Sequence, residues 1–202
     1  DSGSGYEVFL SHSSGKFQVW KHDDSGNYVS NVNAHLWQHE NTFQADLNGD
    51  LTQGLVTIEN IGDVHLAIGD NRFIGDTQYY IVDGSNEPIG LTVFGATKGP
   101  NSSSGWSVTQ VEESGDGYQV FWSGPDGKYS VWSTDASGSI QSQVTAPLWQ
   151  HEITFEADLN GDNYIGLKLT TIETNGDYQL ATGIGQYHII NGNGDRTVLT
   201  KG

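Results

Sequence analysis

The sequence has no cysteine and no methionine, 4 prolines, and 8 lysine and arginine residues among 202. The lack of cysteine excludes a disulfide framework and suits an exported bacterial protein that avoids thiol chemistry. The shortage of basic residues, against 25 acidic ones, leaves a formal charge of −17. Nucleic acid and anionic membrane are poor partners for such a surface, because phosphate binding needs lysine and arginine. No apolar run approaches the ~20 residues that span a bilayer, so membrane insertion is not expected, and the start carries no signal-peptide pattern. Asp1 to Gly5 read as the middle of something longer, and a segment of a larger protein is expected. What is present is aromatic: 6 Trp, 9 Tyr and 7 Phe. Disordered acidic chains lack such residues, so this one folds. A folded chain of this charge must offset its self-repulsion, and bound divalent cations do so.

The organising fact is an internal duplication. Tyr6 to Asp50 aligns without gaps on Tyr118 to Asp162 at an offset of 112, with 27 of 45 positions identical. After a short insertion, Thr57-Ile58-Glu59 matches Thr171-Ile172-Glu173, and the copies end alike on Thr97-Lys98-Gly99 and Thr200-Lys201-Gly202. The organisation expected is a first repeat lobe over 1–99, a connector over 100–105 and a second lobe over 106–202, the two able to form one compact body. Trp106 to Glu112 alternates like a strand, and nothing before Tyr6 matches it.

Within each copy the pattern predicts a mainly β fold: short strands broken by turns, with a short helix before each acidic loop. Tyr6–Leu10 and Phe17–Trp20 flank a Ser-Ser-Gly-Lys turn, and Asp23-Asp-Ser-Gly26 and Asp135-Ala-Ser-Gly138 mark the next turns. Pro147 opens the helix of the second copy, with Leu148, Trp149 and Phe155 inward, as Leu36, Trp37 and Phe43 are in the first. Strands follow at 56–59, 64–68 and 78–82, and Gly95 to Gly105, rich in Gly and Ser, reads as linker.

Asp46-x-Asn48-x-Asp50 and Asp158-x-Asn160-x-Asp162 place oxygen-bearing side chains at alternate positions, with Gly49 and Gly161 allowing the tight turn. A hard cation takes six to eight oxygens at ~2.3–2.6 Å, which this spacing gathers around one point; the carbonyls of Thr52 and Tyr164 are the next ligands. An Asx turn shares the composition, but repetition of the whole pattern after a helix favours calcium, at least two ions. Neither loop is an EF-hand, since Thr57 and Leu169 stand at the twelfth position. Glu40/Glu152 and Glu59/Glu173 are the repeated candidates for further ligands. Magnesium fits less well than calcium, because the loop is a flexible oxygen cage.

No enzyme signature is present. His39-Glu40-Asn-Thr-Phe43 opens like a zinc-protease helix but has Phe43, and Phe155 in the second copy, in place of the second histidine. The copies differ most between Ile68 and Gly90, where Asp70, Asn71, Asp76 and Asp83 are candidates for a further cation and Arg72 for a second contact to a carboxylate. Trp122 is read either as an exposed aromatic platform or as core.

The run Val-Trp, Asp-x-x-Gly, Leu-Trp-x-x-Glu-x-x-Phe-x-x-Asp-Leu-Asn-Gly-Asp resembles the tryptophan-rich repeat near the C-termini of large secreted bacterial proteins. Two such units in tandem resemble the peptide-binding module of giant calcium-dependent RTX adhesins. The resemblance rests on residues 15–50 and 127–166; Leu51 departs from it, standing where glycine usually follows. It implies an extracellular, cell-surface domain, monomeric by itself, that holds several calcium ions, one of which meets the carboxylate of a peptide or protein on a target cell. A calcium-stiffened spacer and a calcium-dependent carbohydrate-binding module are the alternatives.

Overall fold

The computed structural model describes residues 5–71, 75–85 and 88–200. Alternating side chains between turn residues fold into antiparallel meanders, and the protein is mainly β. The first three strands, β1 (Tyr6–Ser11), β2 (Phe17–His22) and β3 (Tyr28–Asn31), form one sheet. Helix α1 (Leu36–Phe43) follows, then a sheet of β4 (Val56–Glu59), β5 (His65–Asp70), β6 (Thr77–Val82) and β7 (Pro88–Gly90). A small hairpin pairs β8 (Thr92–Val93) with β9 (Ala96–Thr97), so the start of the Gly/Ser-rich stretch is paired rather than loose. The third sheet holds β10 (Ser107–Ser114), β11 (Gly117–Ser123), β12 (Tyr129–Thr134) and β13 (Ile140–Gln143). Helix α2 (Leu148–Thr154) precedes the last sheet, β14 (Thr170–Glu173), β15 (Tyr178–Gly183), β16 (Gln186–Asn191) and β17 (Arg196–Val198). Among the described residues no helix is long and apolar enough to cross a membrane.

Aspartates close matching hairpins. Asp23 Oδ1 accepts the Ser25 and Asn27 amides at 2.9 and 2.8 Å, and Asp135 Oδ1 accepts those of Ser137 and Ser139 at 2.9 and 3.0 Å. These Asx turns let a short polar residue stand in for a backbone carbonyl. Both carboxyls are held below their ordinary range, Asp23 first by the Asn27 side-chain amide and Asp135 first by the Ser137 hydroxyl, with the backbone N–H bonds adding to each.

The chain separates into two compact units, residues 1–144 and 145–202. The main core of the first unit lies between two sheets. Val64, Leu66, Tyr79, Ile81 and Leu91 meet Val108, Val111, Tyr118, Val120 and Trp122, with Trp132 and Ile140 packed against them. Trp122 is therefore core, edge-on to Tyr79 with centroids 6.2 Å apart, and not a surface platform. A second cluster seats Trp37 of α1 on Ala67 and Tyr80, on the other face of β5 and β6. In the second unit, the Arg196 guanidinium lies over the Trp149 ring, 5.0 Å from its centroid.

Candidate functional site

Both acidic loops follow a short helix and adopt the same turn. Asp46 accepts the Gly49 amide at 2.6 Å on one oxygen and the Leu51 amide at 3.0 Å on the other. Asp158 does the same with Gly161 at 2.7 Å and Asn163 at 2.6 Å. Asn48 Oδ1 accepts from Asp50 N and Asn160 Oδ1 from Asp162 N, at 2.9 and 2.8 Å. Asp50 and Asp162 in turn accept the amides of Thr52 and Tyr164, at 2.8 and 2.9 Å. Gly49 and Gly161 sit at φ +84° and +79°, the left-handed conformation that the tight turn requires. Leu51 and Asn163 also have positive φ, +71° and +63°. Asparagine tolerates that conformation, whereas leucine is strained in it.

Behind each loop a glutamate is buried. Glu40 accepts the Leu47 and Gly54 amides at 3.1 and 3.0 Å, and Glu152 accepts the Asn160 side-chain amide at 2.6 Å and the Gly166 amide at 3.1 Å. Each carboxylate thus joins the start of its loop to the chain leaving it. Burial pushes the Glu40 carboxyl up, against the lowering effect of the Gly54 and Leu47 amides. At Asp158 burial also pushes upward, but the amides of Asn163, Gly161, Asp162 and Asn160 together outweigh it and the carboxyl is lowered. Glu59 and Glu173 are engaged locally, each accepting an amide two residues on, from Ile61 and Asn175.

The divergent segment is split between two places. Asp70 is buried at the end of β5, accepting the Gly75 amide at 2.8 Å and the Thr77 hydroxyl at 3.1 Å. It also receives the Asn48 side-chain amide at 3.3 Å, which brings it to the first acidic loop. Asn71 is buried beside it; its carbonyl accepts the first amide of α1, from Leu36, at 2.8 Å, and its own amide donates to the Asp76 carbonyl at 3.0 Å. Asp83 lies beyond the other end of β6, where it accepts the Tyr118 hydroxyl at 3.0 Å and both the amide and hydroxyl of Ser85. Those bonds, the Ser85 hydroxyl first, hold the Asp83 carboxyl low; burial, then the bond to Asp83, pushes the Tyr118 phenol up to about 12. Arg72 lies outside the described residues.

Among the described residues, no group of three or more His, Cys, Asp or Glu side chains is gathered as a metal site. Each loop offers two aspartates and one asparagine, all hard oxygen donors, with backbone carbonyls alongside. That all-oxygen donor set fits calcium better than zinc, whose structural sites are built from cysteine sulfur and histidine nitrogen. The glutamates expected as further ligands, Glu40 and Glu152, stand behind the loops, whereas the tie of Asp70 to the first loop through Asn48 carries no signal in the sequence. The signal for the glutamates was their repetition at one position before each loop.

The family described as the tryptophan-rich Synechocystis species C-terminal domain matches residues 72–166, slightly under half of the chain. The matched stretch holds Trp106, Trp122, Trp132 and Trp149, and it fits the tryptophan-rich, bacterial character of the repeat. It runs from the segment between β5 and β6 through the second acidic loop. Among curated proteins, none matches the chain.

Proposed function

We propose that this chain is a calcium-dependent adhesion module of a secreted bacterial protein, RTX-adhesin-like in its use of calcium, that binds a peptide or protein on another cell's surface. The observation that carries the reading is the matched folding of the two Asp-x-Asn-x-Asp loops, each backed by a buried glutamate. Asp46, Asn48 and Asp50 would hold one ion, and Asp158, Asn160 and Asp162 another. Calcium supplies rigidity and a local reversal of sign in a chain of charge −17. Asp70 supports extension of the first site toward a ligand, because it touches Asn48 and opens the segment where the repeats diverge. Asp83, held by Tyr118 and Ser85, is assigned a structural role at its turn.

A peptide array read with and without calcium tests the reading. Binding that is lost in EGTA and weakened by Asp70→Ala and Asp76→Ala is the expected result; binding untouched by all three overturns it.

A second reading, carbohydrate binding, is favoured by one feature of the first unit. A cavity of about 330 Å³ has Phe94, Trp106 and Trp132 in its lining, beside the core residue Trp122, and exposed aromatic faces stack on flat apolar surfaces. Competition by simple sugars in the same assay would favour it.

A further inference from the structure

The core between the second and third sheets is made from faces that recur, uncovered, elsewhere in the molecule. In the third sheet the buried or packed face comprises Tyr118, Val120, Trp122, Trp132 and Ile140. The repeat offset of 112 places Tyr6, Val8, Leu10, Trp20 and Tyr28 at those positions in the first sheet, and all of these are exposed. Tyr6 is 58% exposed where Tyr118 is 7%. In the second sheet the buried face comprises Val64, Leu66, Tyr79, Ile81 and Leu91. Strand register places Tyr178, Leu180, Tyr187, Ile189 and Leu199 there in the last sheet: Ala67 pairs with Tyr80 as Ala181 does with His188. The Leu91 amide donates to the Tyr79 carbonyl at 2.9 Å, as that of Leu199 does to Tyr187 at 2.9 Å. Tyr187 is nevertheless 55% exposed where Tyr79 is 2%, and Tyr178 and Leu199 are exposed as well. The opposite face of the last sheet is closed, with Ala181 and His188 buried, so the exposure belongs to one face and not to a loosely packed sheet.

We infer that the outward face of the last sheet, around Tyr187 and Leu180, docks on the outward face of the first sheet, around Val8 and Trp20, of a second copy of this chain. The molecule already contains this interface once, in the core that joins the second and third sheets, and the two open faces are the two halves of a further instance of it. Apolar aromatic faces of this extent are costly in water and mark interaction surfaces. Because the two faces differ, the contact is head-to-tail and does not close at a dimer unless a rotation happens to form a ring. Among the described residues β1 pairs with β2 alone, whereas in the third sheet β11, its counterpart, lies between β10 and β12. Each copy carries −17, so repulsion opposes association at low salt and screening strengthens it. The inference departs from the expectation of a domain that is monomeric by itself, and the oligomeric state decides between them.

Sedimentation velocity of the whole chain in calcium, at about 0.15 M and about 1 M salt, tests the inference. The parent is expected to sediment faster as concentration and salt rise. Val8→Asp and Tyr187→Asp change exposed residues, so both keep the parental melting temperature, and each alone stays monomeric. Mixed in equal amounts they form a one-to-one dimer and nothing larger, since one variant keeps its tail face and the other its head face. A parent that is monomeric at every concentration and salt overturns the inference. So does a mixture that fails to dimerise, or a single variant that associates like the parent.

Discussion

The side-chain amide of Asn48 donates to Asp70 Oδ2 at 3.3 Å, tying the first acidic loop to the start of the segment in which the two repeats differ most. In metal sites, partners that orient a ligand side chain matter nearly as much as the ligands themselves. Asp70→Ala is therefore expected to weaken calcium binding at the first loop by about 10- to 100-fold while leaving the second loop alone. Asp158→Ala, by contrast, removes a proposed ligand, and the number of bound calcium ions falls by one. Calorimetric titration separates the cases: a parental isotherm for either variant removes that residue from the site.

Leu51 is almost fully exposed at φ +71°, at the position where the second loop has Asn163 at +63°. A leucine in the left-handed region costs roughly 1–2 kcal/mol, which asparagine largely avoids. Leu51→Asn is expected to raise unfolding stability by about 1 kcal/mol, with or without calcium. Urea unfolding measures it, and a variant no more stable than the parent shows that the loop carries no such strain.

His39 is buried with its ring edge-on to Phe17, centroids 5.8 Å apart, and burial holds its pKa below the ordinary value against the charge of Glu7. His151 is lowered by burial too, against a backbone contact with Ala146. A histidine in the unfolded chain titrates near pH 6.5, so below that value the unfolded state binds more protons than the native one. The contribution is complete above about pH 6.5 and lost as pH falls from there toward the folded-state pKa. Unfolding in EGTA across this window is expected to show stability falling with pH, and His39→Gln combined with His151→Gln to flatten the slope. An unchanged slope in the double variant assigns the acid sensitivity to other groups.

The strands were legible because their signals are local. Alternation in Tyr6–Leu10, the short aromatic and β-branched run Tyr79–Val82, and aspartates placed to form Asx turns at 23 and 135 are local signals for strands and hairpins. Which sheet covers which was not legible, because a repeat gives periodicity without naming the neighbour. Trp122 shows the difficulty: its composition suits a platform or a core equally, and only the arrival of Tyr79 from the preceding repeat decides. The grouping of Asp70 with Asp83 failed for a similar reason. Asp70 is opposite the first residue of β6 and Asp83 follows its last, so an extended strand of 6 residues separates them. At ~3.3 Å per residue that is on the order of 20 Å, far beyond one cation's reach.

The central claim is that calcium is part of the folded state. The most direct measurement is the melting temperature of the whole chain in excess calcium against excess EGTA. Binding to the native state alone stabilises by RT ln(1 + [L]/Kd), about 4 kcal/mol per site at a thousandfold excess over Kd. A melting temperature that rises strongly with calcium and falls on chelation is predicted; one that is the same in both conditions contradicts the account.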